Sequence, residues 1–183
     1  MPHVIALSIF FMSVVAGAQG VPSSLQAAIF YKVLAYDYNI QNKSGSDITI
    51  VVITDGKSAG QKGALSAGFN KLSGQKLGSK TIRIIAIAVA GAGELESKIQ
   101  SAGGDIAYLA DGSSDQVVAK LLQVAQANRI STLCGSEDLT KKGFAIGLTV
   151  EGGKPKIVIN LSASQKQGMK LSSKVLRLAK VIK

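Results

Sequence analysis

Two near-continuous apolar runs set the tightest limit on this fold: Ile48-Thr49-Ile50-Val51-Val52-Ile53-Thr54 and Thr81-Ile82-Arg83-Ile84-Ile85-Ala86-Ile87-Ala88-Val89. Neither alternates with polar residues as a half-buried strand does, so both read as strands covered on two faces, the setting of a parallel sheet between helices. Shorter strands are predicted at Ile106–Leu109 and around Ser131–Cys134. Helices are predicted between them, at about Gly60–Leu72, Gly93–Ala102 and Ser114–Asn128. In the last, Ser113 and Gln116 have capping-box spacing, while Val117, Val118, Leu121, Leu122 and Ala125 fill one face. An earlier helix is expected from Ser23 or Ser24 as its cap, with Leu25, Ile29, Val33 and Tyr36 on one face.

After Cys134 the pattern changes. Phe144–Val150 and the strand beginning at Lys156 flank Glu151-Gly152-Gly153-Lys154-Pro155, a turn-rich hairpin connection. The expected architecture is therefore an α/β three-layer sandwich: a mostly parallel sheet, a C-terminal antiparallel hairpin at one edge, and a closing basic helix.

The first residues read as an export signal. Val4–Val15 is an apolar core, too short for a stable anchor, and Ala16-Gly17-Ala18 has the small-x-small form a signal peptidase accepts. This places a cleaved signal at residues 1–18 and a single α/β domain at 19–183, in an exported protein. No Lys or Arg precedes the core, which leaves the true start open. The only His, His3, falls in this segment, and the rest has one thiol, Cys134. Their scarcity removes the usual general base, zinc ligands and Ser-His or Cys-His pairs, so no catalytic residue, metal site or cofactor is expected. The formal net charge of +10 favours acidic partners, and export disfavours nucleic acid among them.

The last quarter of the chain has a specific order. A strand ends in Ile159-Asn160, a short polar helical turn follows, then Gly168-Met169-Lys170-Leu171-Ser172-Ser173 and Val175-Leu176-Arg177-Leu178-Ala179. It resembles the C-terminus of the YfiR-like family of bacterial periplasmic regulators, in which a strand ending in Ile-Asn leads through a Gly-hydrophobic-basic-Leu-Ser-Ser stretch into a Leu-rich helix. Ala27-Ala28-Ile29-Phe30-Tyr31-Lys32 is similar to the core of the family's first helix, although Tyr38-Asn39 stands where many members have Trp-Pro. The resemblance implies a non-enzymatic protein that binds and represses an inner-membrane signalling protein, of diguanylate cyclase or histidine kinase type, and so a link to cyclic-di-GMP signalling. Some relatives use disulfides for stability and control; with Cys134 alone, no internal pair can form here.

Several motifs have plainer explanations. Gly91-Ala92-Gly93 lies where a dinucleotide loop would, but the third glycine position holds Glu96, and Glu94 and Glu96 would repel a phosphate. Gly56-Lys57-Ser58 lacks the leading glycine of a P-loop, since position 51 is Val51. Ser73-Gly74-Gln75-Lys76 has Ser-x-x-Lys spacing without a supporting Lys-Thr-Gly.

Two surfaces remain as candidates. Loops carrying Asp55, Ser58, Gly91, Gly93, Asp111, Ser113 and Ser136 should lie along the strand-end rim, where open α/β sheets place ligands, unless they serve only as caps and turns. A solute-binding module is the corresponding alternative function. The tail carries Lys166, Lys170, Lys174, Arg177 and Lys180, read either as a solvated face or as a docking surface for an acidic membrane-protein partner. A homodimer and a peripheral membrane contact both stay open. Cys134 reads as a buried inert thiol or as a reactive one.

Overall fold

The computed structural model describes residues 20–183; the expected export signal lies outside the described residues. Eight strands form one sheet in the order β2-β3-β1-β4-β5-β6-β7-β8. The first apolar run is β1 (Asp47–Thr54), buried along nearly its whole length between β3 (Lys80–Ala88) and β4 (Ile106–Leu109), both parallel to it. Next come β5 (Ser131–Cys134) and β6 (Ile146–Glu151), also parallel, and then β7 (Lys154–Asn160), antiparallel to β6 across a Gly152-Gly153 turn in which both glycines have positive φ.

Alternation along β1 divides the core in two. Ile48, Ile50 and Val52 face a cluster built on α1 (Ser23–Leu34) and α2 (Lys62–Asn70), with Phe30, Phe69 and the buried Tyr108 in aromatic contact. Val51 and Ile53 face the opposite cluster, under α3 (Leu95–Ala102), α4 (Asp115–Asn128) and α5 (Glu137–Lys142). The three-layer α/β sandwich follows directly from this double burial.

Four local expectations change. The hairpin is not at the sheet edge, because the closing helix α7 (Ser173–Leu178) stops early and β8 (Lys180–Ile182) adds a strand parallel to β7. The core face of α1 is Gln26, Ala27, Phe30, Val33 and Leu34, because Phe30 rather than Leu25 meets the aromatic cluster; Leu25 is 42% exposed. Neither Ser23 nor Ser24 caps α1, whose first amides bond the Pro22 carbonyl, and Ser113 and Gln116 form no capping box, Ser114 being the residue at the N-cap of α4. The second apolar run is covered on both faces less fully than β1: Ile82 and Ile84 pack on one core cluster and Ile87 and Val89 on the other, but within β3 only Lys80 and Ile82 are buried, its outer neighbour β2 (Lys76–Leu77) reaching only its first residues. Among the described residues no helix is long and apolar enough to cross a membrane.

The C-terminal motif has a structural role. Asn160 caps α6 (Leu161–Lys166), its Oδ1 accepting the Ala163 amide at 2.9 Å, while its Nδ2 donates to the Thr140 carbonyl at 3.1 Å. The polar turn that follows supplies Gln167, wholly buried between β5 and β6. Those strands share a single registered pair, Leu133 with Ile146. Gln167 fills the gap as a strand residue would: Oε1 accepts the Thr132 amide and hydroxyl, each at 2.8 Å, and Nε2 donates to the Gly143 carbonyl at 3.0 Å.

Candidate functional site

Because β1 and β4 are neighbours, the loops at their carboxyl ends meet. Asp55 Oδ1 accepts the Lys57 amide (3.1 Å), the Ser58 amide (3.0 Å) and the Ser58 hydroxyl (2.9 Å); Oδ2 accepts the Ser114 amide at 2.7 Å. The Ser58 and Ser113 hydroxyls lie 3.0 Å apart, and Ser113 donates to the Ala110 carbonyl. Burial opposes ionisation of Asp55, but the donors on Ser114 and Ser58 outweigh it and hold its carboxyl at about 2. This part of the rim is a closed knot whose donors are spent within the protein. The P-loop look-alike belongs to it, since the Ser58 hydroxyl is turned onto Asp55.

From the same loop after β4, Asp111 packs against Gly135, one strand along, so closely that a Cβ on the glycine would collide with its Oδ2. Its Oδ1 is buried without a partner among the described residues. Burial pushes the Asp111 carboxyl above its usual range, against the pull of the Ser136 hydroxyl and the Gly135 amide. Ser136 also caps α5 through the Leu139 amide at 3.3 Å. Gly135 and Ser136 border a groove of about 540 Å³ that Gly20, Val21, Glu137 and Val150 help to line. Gly91 and Gly93 stand apart, after β3, where Glu94 pairs with Lys98 at 2.6 Å, and no hydrogen bond among the described residues joins them to Asp55 or Asp111. Among the described residues no three His, Cys, Asp or Glu side chains gather where a metal could bind.

A second concavity was not foreseen from sequence. Ile29, Val33 and Tyr36 of α1 and the turn after it, Ile157 of β7, and Val175 and Leu178 of α7 line an apolar groove of about 420 Å³. Its signal was present in the chain: the Leu25-Ile29-Val33-Tyr36 stripe is a second face of α1, offset from the core face. Leu178 is 61% exposed beside it. Lys32 lies in its wall, and Lys174 stands over the Tyr36 ring at 5.6 Å.

The five basic tail residues are all exposed but do not act together. Lys174 and Arg177 share α7 beside the apolar groove, and Lys170 is tied to the same region through its amide, which donates to Asp37 Oδ1. Lys180 is turned to Glu137 and Glu151, and nothing places Lys166 at the groove. Cys134 is a free, buried thiol, pushed up to about 12 by burial and enclosed by the Ser136 and Ile146 carbonyls and the Thr140 hydroxyl.

Comparison with known proteins places this geometry. A family profile described as YfiR/HmsC-like matches residues 23–180. No curated protein sequence matches the chain. Among solved structures, a conserved domain protein from Vibrio cholerae O1 biovar El Tor superposes with a TM-score of 0.64 at 13% identity, over 88% of this chain and 60% of that one. An ABC domain in complex with L-Trp from Streptococcus pneumonia gives 0.60 at 15% identity, over 88% and 60%. The ligand-free, open form of a substrate binding protein with adhesive properties from Clostridium difficile gives 0.53 at 13% identity, over 79% and 57%. The chain thus spans about 60% of the length of the first two structures, and the likeness is one of fold.

Proposed function

The chain belongs to the YfiR/HmsC-like family, and from that membership we propose that it is a non-enzymatic periplasmic regulator that docks on the sensor part of an inner-membrane signalling protein and holds it inactive. The observation that carries the reading is the apolar groove between α1 and α7 with Lys32, Lys174 and Arg177 around it. An apolar cleft bordered by one sign of charge fits an apolar segment flanked by carboxylates, with the charges steering encounter and the cleft slowing release. A diguanylate cyclase or a histidine kinase would be regulated in this way by contact alone.

The test is affinity capture of residues 19–183 on detergent-solubilised envelope at low and raised salt. One signalling membrane protein should be enriched, and lost when Lys170, Lys174 and Arg177 are all replaced by Glu in a variant that keeps its thermal midpoint. Unchanged capture by that variant, or no enrichment in either salt, would sink the reading.

One observation favours a second reading, a solute-binding module: the unpartnered Asp111 Oδ1 beside the groove at Ser136. A small solute that raises the melting temperature of the wild type and not of Asp111→Asn would support it.

A further inference from the structure

Backbone alternation fixes which groups of β3 face away from the sheet. The Thr81 amide donates to the Ser46 carbonyl at 3.1 Å and that of Val89 to Thr54 at 2.9 Å, so odd-numbered residues turn their main-chain groups towards β1. Even-numbered residues turn outward: Ile82 accepts from Gly74 and donates to Gln75. The β2 strand ends there, which leaves the N–H and C=O of Ile84 and Ala86, and the N–H of Ala88, without a partner strand among the described residues; the Ala88 carbonyl takes Lys98 Nζ at 2.7 Å.

Such an edge is ordinarily blunted by charge, proline or a bulge. Residues 84–91 contain no charge and no proline. Of the nearby cations, Arg83 is folded back onto the Thr49 hydroxyl and the Ala102 carbonyl, Lys76 bonds the Thr81 hydroxyl, and Lys98 reaches only the Ala88 carbonyl at the far end of the open segment. Ile85 is half-buried and belongs to neither core cluster.

We propose that this edge is the interface of a two-fold dimer of the chain, in which residues 84–88 of two copies pair antiparallel about Ala86. The open length selects the register. With Ala86 opposite Ala86, Ile84 lies opposite Ala88, the open amides and carbonyls of Ile84 and Ala86 and the Ala88 amide all find partners, the Ala88 carbonyl accepts from Ile84 beside Lys98, and neither copy's β2 is displaced. Pairing about Ile85 instead would set Ala88 against Ile82, whose outward groups are already taken. In the chosen register Ile85 of each copy faces Ile87 of the other as a non-hydrogen-bonded pair, the closer of the two antiparallel spacings. The two-fold arrangement runs the two edges antiparallel; Glu94, beyond the end of the open segment, is already paired with Lys98, so the contact rests on main-chain bonds and apolar side chains rather than on ion pairs. With +10 on each copy, salt should strengthen the dimer by screening the overall repulsion.

The experiment is sedimentation velocity on residues 19–183 over a concentration series, at low and raised salt. A reversible dimer is expected, tighter at raised salt. Ala86→Pro removes only an outward amide, the position an edge strand tolerates, and should weaken dimerisation about a hundredfold with the circular dichroism of the monomer unchanged. Should that variant not fold, oxidative cross-linking decides. Ala86→Cys places two thiols on residues about 5.5 Å apart and should give a covalent dimer, while Ile84→Cys, offset by four residues from its own symmetry mate, should not. A monomer at all concentrations, or cross-linking of Ile84→Cys as fast as Ala86→Cys, overturns the proposal.

Discussion

The carboxylate of Asp37 accepts the main-chain amide of Lys170 at 2.8 Å across 133 residues of chain. The same Oδ1 accepts the Asn39 amide at 3.0 Å, and around it Tyr38 bonds the Lys170 carbonyl and Ser172 the Tyr36 carbonyl. This clasp joins the end of α1 to the segment entering α7, and so sets the width of the apolar groove. Asp37→Ala should cost about 2 kcal/mol in urea denaturation, since it leaves two part-buried amides without their acceptor. Limited proteolysis should then cut first near residues 168–172.

Gln167→Ala should cost about as much. It leaves the Thr132 amide and the Gly143 carbonyl unsatisfied at a place where, besides them, the Ala145 amide bonding the Thr132 hydroxyl at 2.9 Å links the two segments. Gln167→Glu should be worse at pH 7 than at pH 4, because the ionised side chain has lost the donor to Gly143 and is wholly buried. Urea midpoints at the two pH values give the comparison.

The contrast between these two residues and the strands shows what local sequence carries. Burial on both faces leaves a local mark, a continuous β-branched run, so β1 and the core of the sheet were legible. The same mark misleads for β3, because an apolar edge and an apolar centre read alike until the neighbours are known. Gln167 and Asp37 act through partners tens of residues away, and nothing in the flanking residues distinguishes them from surface polar groups. The apolar groove lay between the two: the α1 stripe was visible, but its second wall is Ile157, Val175 and Leu178, which only the fold brings opposite.

Cys134 should resist thiol reagents in the native state. Its thiol is pushed up to about 12 and wholly covered, so reaction has to wait for opening. Modification by a chromogenic disulfide should follow the unfolding rate, and be immediate in denaturant. Gly147→Ala should remove that protection, because the added Cβ would fall 2.6 Å from the Ser136 carbonyl oxygen and 3.1 Å from Cys134 Sγ, in backbone that cannot move aside freely.

The two rim carboxylates should give opposite pH dependences. Asp55 has its folded value at about 2, below the roughly 3.9 of an unfolded chain, so its stabilisation is full above pH ~4 and is lost as pH falls through about 2. The shift corresponds to about 2 kcal/mol. Asp55→Asn should therefore cost about that much at pH 7 and nothing near pH 2. Asp111 is shifted upward by burial, so the native state pays to ionise it at neutral pH and is relieved as pH falls through its raised folded value towards the ordinary carboxylate range. Asp111→Asn should be more stable than wild type at pH 7 and equal to it near pH 3. Urea midpoints of both variants between pH 2 and 7 test the pair together. If Asp111→Asn instead lowers stability at pH 7, the Asp111 carboxylate is paid for by hydrogen bonds stronger than its burial, and its open Oδ1 loses its value as a pointer to a ligand.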